Sequence, residues 1–126
     1  MKKNILISTL AFSILLMSGC ATKKPLYNYG EYSQAYYNYK KNTSPESELA
    51  LQKAIEEAIQ NVGDGQANRV APGMYANLGY IYLKQGNSKM ARESFIKEKT
   101  IYPESTHFMD RLIKKIDAAE EKKDEN

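Results

Sequence analysis

The stretch "YANLGYIYLKQGNSKMARESFIKEKTIYP", Tyr75 to Pro103, decides the fold. Met74, Tyr75, Leu78, Tyr82 and Leu83 recur at helical spacing and predict a helix from Pro72 to about Gln85. Gly86-Asn87 reads as a turn. Ser88 is then expected to cap a second helix that carries Ala91, Phe95 and Tyr102 on one side, and Pro103 ends it. Two such helices joined by a short turn make a helical hairpin.

Within that hairpin the order Tyr75, Leu78, Gly79, Tyr82, Gly86, Ala91, Phe95, Pro103 resembles a tetratricopeptide repeat, a helix–turn–helix module of about 34 residues. Each place has a packing reason. Gly79 lets the second helix approach closely, and Ala91 is its small partner. Tyr82 and Phe95 fill the space between the helices. Pro103 stops the second helix so that another can begin. Two places depart from the family's pattern: Tyr75 stands where Trp is usual, and Glu98 where Ala is preferred. The resemblance implies stacked helical hairpins, with Tyr75, Leu78, Gly79, Tyr82, Ala91, Phe95 and Pro103 as the packing residues.

The flanking sequence is also helical. Ser44 is a good N-cap, Pro45 suits the first helical position, and Glu46 and Glu48 favour the positive end of a helix dipole. Leu51, Ala54, Ile55, Ala58, Ile59 and Val62 follow one helix face, which Gly63 and Asp64-Gly65 close. A polar loop, Gln66 to Ala71, leads to Pro72. Upstream, Tyr27 to Asn42 holds six of the ten tyrosines. Tyr29, Tyr32, Tyr36 and Tyr39 fall within an arc of about 80° and predict a helix from about Gly30 to Lys41, with Tyr37 pointing elsewhere. Gly30 to Val62 thus reads as an earlier, degenerate hairpin. Downstream, Ser105 can cap a fifth helix in which Phe108, Met109, Leu112, Ile113 and Ile116 make a stripe that covers the open end. The residues after Asp117 are charged and expected to fray. The fold class is therefore all-α: tetratricopeptide-like stacked hairpins, about five helices, spanning residues 30–118, with a charged tail at 119–126. A solenoid normally needs about three repeats, so tyrosine-rich packing, a dimer or a partner would make up the shortfall.

The start of the chain addresses location. Met1-Lys2-Lys3 is a positive n-region, and Ile5 to Met17 is a mostly apolar run too short to span a bilayer. Ser18 and Gly19 precede Cys20, which is the only cysteine, so no internal disulfide is available. This arrangement resembles the lipobox of bacterial lipoprotein precursors, with Met17 where Leu is favoured. The resemblance implies a signal peptide at residues 1–19, a diacylglyceryl group and an N-acyl chain (palmitate) on Cys20, and a lipidated tether at 20–29. Ala21, in place of Asp, implies the outer membrane. The whole layout resembles a family of small uncharacterised Gram-negative lipoproteins with an aromatic-Gly-x-Tyr motif after the lipobox, matched here by Tyr29, Gly30 and Tyr32. That resemblance implies a lipoprotein related to the curli secretion pore as an assembly partner.

Composition narrows the function further. The formal charge of +3 includes Lys2 and Lys3, which a cleaved signal peptide would take with it, so nothing suggests a nucleic-acid partner. No catalytic constellation is evident. His107 has Asp110 three residues on, which reads as a solvated pair, and Glu56-Glu57 and Glu120-Glu121 read as solvent-facing helix charges. Met74, Met90 and Met109 read as core filler. No metal, cofactor or small-molecule substrate is expected beyond the covalent lipid. The tyrosine stripe is the candidate site: Tyr32, Tyr36 and Tyr39 are expected to wall the first hairpin. Part of the set Tyr29, Tyr32, Tyr36, Tyr37 and Tyr39 would stay exposed for a partner. The expected function is a non-enzymatic periplasmic protein-binding and assembly scaffold on the outer membrane; the alternative is a module that stacks tyrosines on peptidoglycan sugars.

Overall fold

A computed structural model describes residues 23–124. Cys20 and the expected signal peptide lie outside them. Five α-helices form, and there is no strand among the described residues: α1 Tyr32–Lys41, α2 Pro45–Gln60, α3 Met74–Lys84, α4 Ser88–Ile101 and α5 Thr106–Asp124. Single 3-10 turns at Val62–Asp64 and Pro103–Ser105 follow α2 and precede α5. The chain is all-α. Consecutive helices pack on one another, α1 on α2, α2 on α3, α3 on α4 and α4 on α5.

Helix starts follow local chemistry. The Ser44 hydroxyl accepts from the Ser47 N–H at 3.2 Å and Ser47 Oγ accepts from the Ser44 N–H at 2.9 Å, a reciprocal capping box ahead of Pro45. α3 begins at Met74, not Pro72, because Gly73 is left-handed at φ +83° and breaks the helical path. α1 likewise starts after Gly30, at φ +46°. Asn87, not Ser88, caps α4: its Oδ1 accepts from the Met90 N–H at 3.1 Å. Ser105 caps nothing, since its hydroxyl donates to the Tyr102 carbonyl and the 3-10 turn runs straight into α5. α5 persists to Asp124, beyond the point where fraying was expected.

Two apolar clusters make the core. Leu51, Ile55, Val70, Ala71, Met74, Leu78 and Ile81 pack between α2 and α3; Ala91, Phe95, Met109, Ile113 and Ile116 pack between α4 and α5. Tyr82 touches both. Gly79 is the contact point between α3 and α4: a Cβ built there would lie 2.6 Å from Phe95 Cε1, and the Phe95 ring is fully buried. Val70 and Ala71, at the end of the loop read as polar, are buried as well. Phe108 departs from the expected stripe, being 58 % exposed, because it lies a quarter-turn away from the buried Met109.

Candidate functional site

The tyrosine stripe divides. Tyr32 and Tyr39 are half-buried against the first cluster, while Tyr29, Tyr36 and Tyr37 are exposed. Burial is the main reason that Tyr32 ionises above the ordinary tyrosine range. The rings of Tyr29, Tyr32 and Tyr36 form a row, with centroids 6.4 and 5.7 Å apart. Tyr36 is thus not part of the inner wall, because its place on α1 turns it toward α3 and solvent.

Polar contacts tie α1 to α3. Asn77 Nδ2 donates to the Tyr32 hydroxyl at 2.9 Å, and Lys84 Nζ donates to Tyr39 OH and to Glu48 Oε2, both at 2.6 Å. The Glu48 contact, followed by Tyr39, raises the Lys84 pKa above the ordinary lysine value. Beside these contacts lies a concavity of ≈130 Å³ between Tyr36, Tyr39 and Lys40 of α1 and Asn77, Tyr80 and Ile81 of α3, with Leu51 of α2 also in its wall. Tyr80 is 59 % exposed and Tyr36 39 %. The Lys40 ammonium lies 5.6 Å from the Tyr36 ring centroid. Neither α1 nor α3 contains an acidic residue, and Lys40 adds one cation to the aromatic wall, Lys84 being paired with Glu48. Tyr80 and Asn77 escaped the sequence reading, although Tyr80 stands off the Met74–Leu78–Ile81 stripe, as an exposed residue should.

A larger trough of ≈340 Å³ crosses Ala35, Ala50 and Ala54 between α1 and α2. It has no aromatic wall, and its rim is Glu31, Gln34, Asn38, Lys53 and Glu57. The α1–α3 concavity, with aromatic groups of the kind that anchor partners, is the better candidate.

Residues 24–28, within the stretch expected as a tether, form a strap on the loop after α2. The Gln66 N–H donates to the Pro25 carbonyl and the Ala67 N–H to the Leu26 carbonyl, each at 2.9 Å. Asn28 Nδ2 donates to the Asn61 carbonyl at 2.9 Å, and Gln66 Nε2 to the Lys24 carbonyl. Gly65 makes room: a Cβ there would meet Asn28 N at 2.9 Å and Leu26 O at 3.0 Å. Arg69 extends the seam. Its guanidinium lies 6.0 Å from the Tyr27 ring and 5.2 Å from the Tyr102 ring, and Nη2 donates to Tyr27 OH at 3.3 Å. That hydrogen bond lowers the Tyr27 pKa.

The residues expected to pack the repeat differ in burial. Leu78, Gly79, Ala91 and Phe95 are buried, Tyr75 and Tyr82 half-buried, and Pro103 exposed. The departure at Glu98 has its own explanation: it is 3 % exposed, and its carboxylate accepts from the Gly73 N–H at 2.7 Å and the Ala76 N–H at 3.2 Å, at the start of α3. Glu56 is half-buried and accepts from Tyr82 OH at 3.0 Å, unlike a simple solvent-facing charge. Asp110 pairs with Lys99 at 2.6 Å, where the sequence suggested His107. Among the described residues no cluster of three or more His, Cys, Asp or Glu could hold a metal, and no helix is long and apolar enough to cross a membrane.

The chain belongs to the family described as a domain of unknown function, DUF4810, whose model matches residues 26–112. The match runs from the strap into α5. No curated protein and no solved structure matches the chain.

Proposed function

We propose that this protein is an outer-membrane lipoprotein, acylated on Cys20, whose tetratricopeptide-like helices bind a segment of an envelope protein on the periplasmic side. It acts as a non-enzymatic scaffold, and the lipid keeps a weak binder at high local concentration beside its partner. The partner class that the sequence resemblance implies is a lipoprotein related to the curli secretion pore. The close Gly79–Phe95 contact and the pairwise helix packing support the repeat-like reading.

One observation carries the binding role: the concavity between α1 and α3, flanked by exposed Tyr36 and Tyr80 and bordered by Lys40. Tyrosine supplies a large contact area and a hydroxyl with few rotatable bonds. A photo-reactive residue in place of Tyr80, in the full-length protein in cells, is expected to cross-link to one envelope protein, and Tyr36→Ala is expected to weaken that adduct. A uniform lack of adducts at position 80 would refute the assignment. Cys20→Ala should abolish labelling by a fatty-acid analogue; labelling that persists would refute the anchor.

The exposed rings of Tyr29 and Tyr37 favour a second reading, stacking on peptidoglycan sugars. Cosedimentation with purified sacculi separates the two, because a protein-binding scaffold should stay in the supernatant.

A further inference from the structure

The strap and the start of α5 meet at one corner of the molecule. Arg69 touches Tyr27 of the strap on one side and Tyr102, four residues before Thr106, on the other. Tyr102 OH also donates to the Val70 carbonyl at 2.5 Å. The corner is therefore held rigidly by buried and aromatic contacts.

α5 has two distinct sides. Of its acids, Asp110 and Asp117 turn toward α4, where they pair with Lys99 and Arg92, and Glu120 and Glu121 stand exposed near its C-terminal end. Its outer side presents Phe108, Arg111, Lys114 and Lys115, all exposed. At 100° per residue these four and Ala118 share an arc of about 120°. One large apolar ring followed by cations on a single helical face suits a lipid headgroup region.

A lipid on Cys20 would keep the strap close to the membrane. Four residue steps separate Cys20 from Lys24, where the strap begins. Fully extended they reach at most about 14 Å. We propose that the outer side of α5 rests on the headgroups of the bilayer, with Phe108 at the interface and Arg111, Lys114 and Lys115 facing anionic lipid; this rests on the Cys20 anchor proposed above. The docked strap acts as a short mooring that keeps the domain against its own membrane.

The lone cysteine makes a direct test possible, because acylation blocks its thiol. Phe108→Cys and Ala118→Cys, each in the full chain, place a fluorophore on the outer side of α5; Leu49→Cys places one near the start of α2. The lipidated proteins are reconstituted into vesicles of phosphatidylethanolamine and phosphatidylglycerol whose acyl chains carry shallow bromines. Quenching at positions 108 and 118 is expected to exceed that at 49 by roughly threefold or more, as interfacial contact requires. Adding Lys114→Glu and Lys115→Glu to the labelled Phe108→Cys chain should reduce it. Equal quenching at all three positions, in protein that floats with the vesicles, would overturn the orientation and leave the anchor intact. Excimer emission from pyrene at position 108 would put a second copy on this face and overturn it too. Protein that does not float, with Cys20 open to the thiol reagent, would overturn both the anchor and the orientation.

Discussion

Glu98 on α4 caps α3 through Gly73: the carboxylate accepts the Gly73 N–H at 2.7 Å, and its second oxygen takes the Ala76 N–H at 3.2 Å. A helix N-terminus leaves its first N–H groups without intrahelical partners, and a carboxylate also suits the positive end of the helix dipole. The usual donor of such a cap is the chain just before the helix. Here that place holds Pro72 and Gly73, neither of which has a side-chain acceptor. The cap comes from the neighbouring helix and ties the two together.

Glu98→Ala should therefore destabilise the domain by about 1–3 kcal/mol, the range for stranding hydrogen-bonded buried groups. The tetratricopeptide pattern prefers Ala at this place and would suggest a neutral change. Thermal unfolding decides between them. Glu98→Gln, which keeps one acceptor, should lie between the wild type and Ala.

Gly79→Ala places a methyl group 2.6–3.0 Å from three atoms of the buried Phe95 ring. Ala gains about 1 kcal/mol in helix propensity over Gly, but overpacking costs about 1–3 kcal/mol. A net loss is expected for Ala and a larger one for Leu. A melting temperature unchanged in the Leu variant would mean that α3 and α4 are not in close contact there.

Gly65→Ala collides with strap backbone instead of a side chain. The strap should detach while the helices stay folded. Chymotrypsin cleavage after Tyr27 should then quicken without a change in helical circular dichroism. Equal cleavage rates in the two proteins would show that the strap does not protect this bond.

Tyr102 links loop, strap and α4, and burial, then its contact with Tyr27, pushes its pKa up to about 12. The folded state keeps this proton longer than the unfolded chain, where tyrosine ionises near 10. The resulting stability is complete below about pH 10 and is lost as pH climbs toward about 12. Tyr102→Phe should lower stability by about 1 kcal/mol at neutral pH and flatten the alkaline decline. Burial raises Tyr32, Tyr75 and Tyr82 as well, so some decline should remain.

Most of the helical frame was readable from spacing and punctuation. α2 was clearest because Ser44, Pro45 and an unbroken i, i+3, i+4 series all agree; a close approach at Gly79 was legible too, but with Ala91 as the expected partner, whereas the nearest group is the Phe95 ring. Boundaries shifted where a neighbouring residue did the same job, as Asn87 did for Ser88, or where a left-handed glycine delayed the helix, as at Gly73. Glu98 looked like a mere exception, yet its spacing from Ala91 and Phe95 puts it on the inward face of α4, and that was the available signal. The strap left no such trace: its bonds join backbone groups about 40 residues apart, as from Gln66 to Pro25, and backbone pairing has no side-chain code. The concavity was half-legible. The tyrosines of α1 were visible as a set, but which of them faced outward depended on where α3 lay.

A tug on the N-terminal end of this chain would not reach α1 first. The force would be borne by the seam where Pro25 and Leu26 clasp Gln66 and Ala67, and the loop and Tyr102 would share it with the rest of the domain. The folded body should move as one piece under load, instead of unravelling from its first helix.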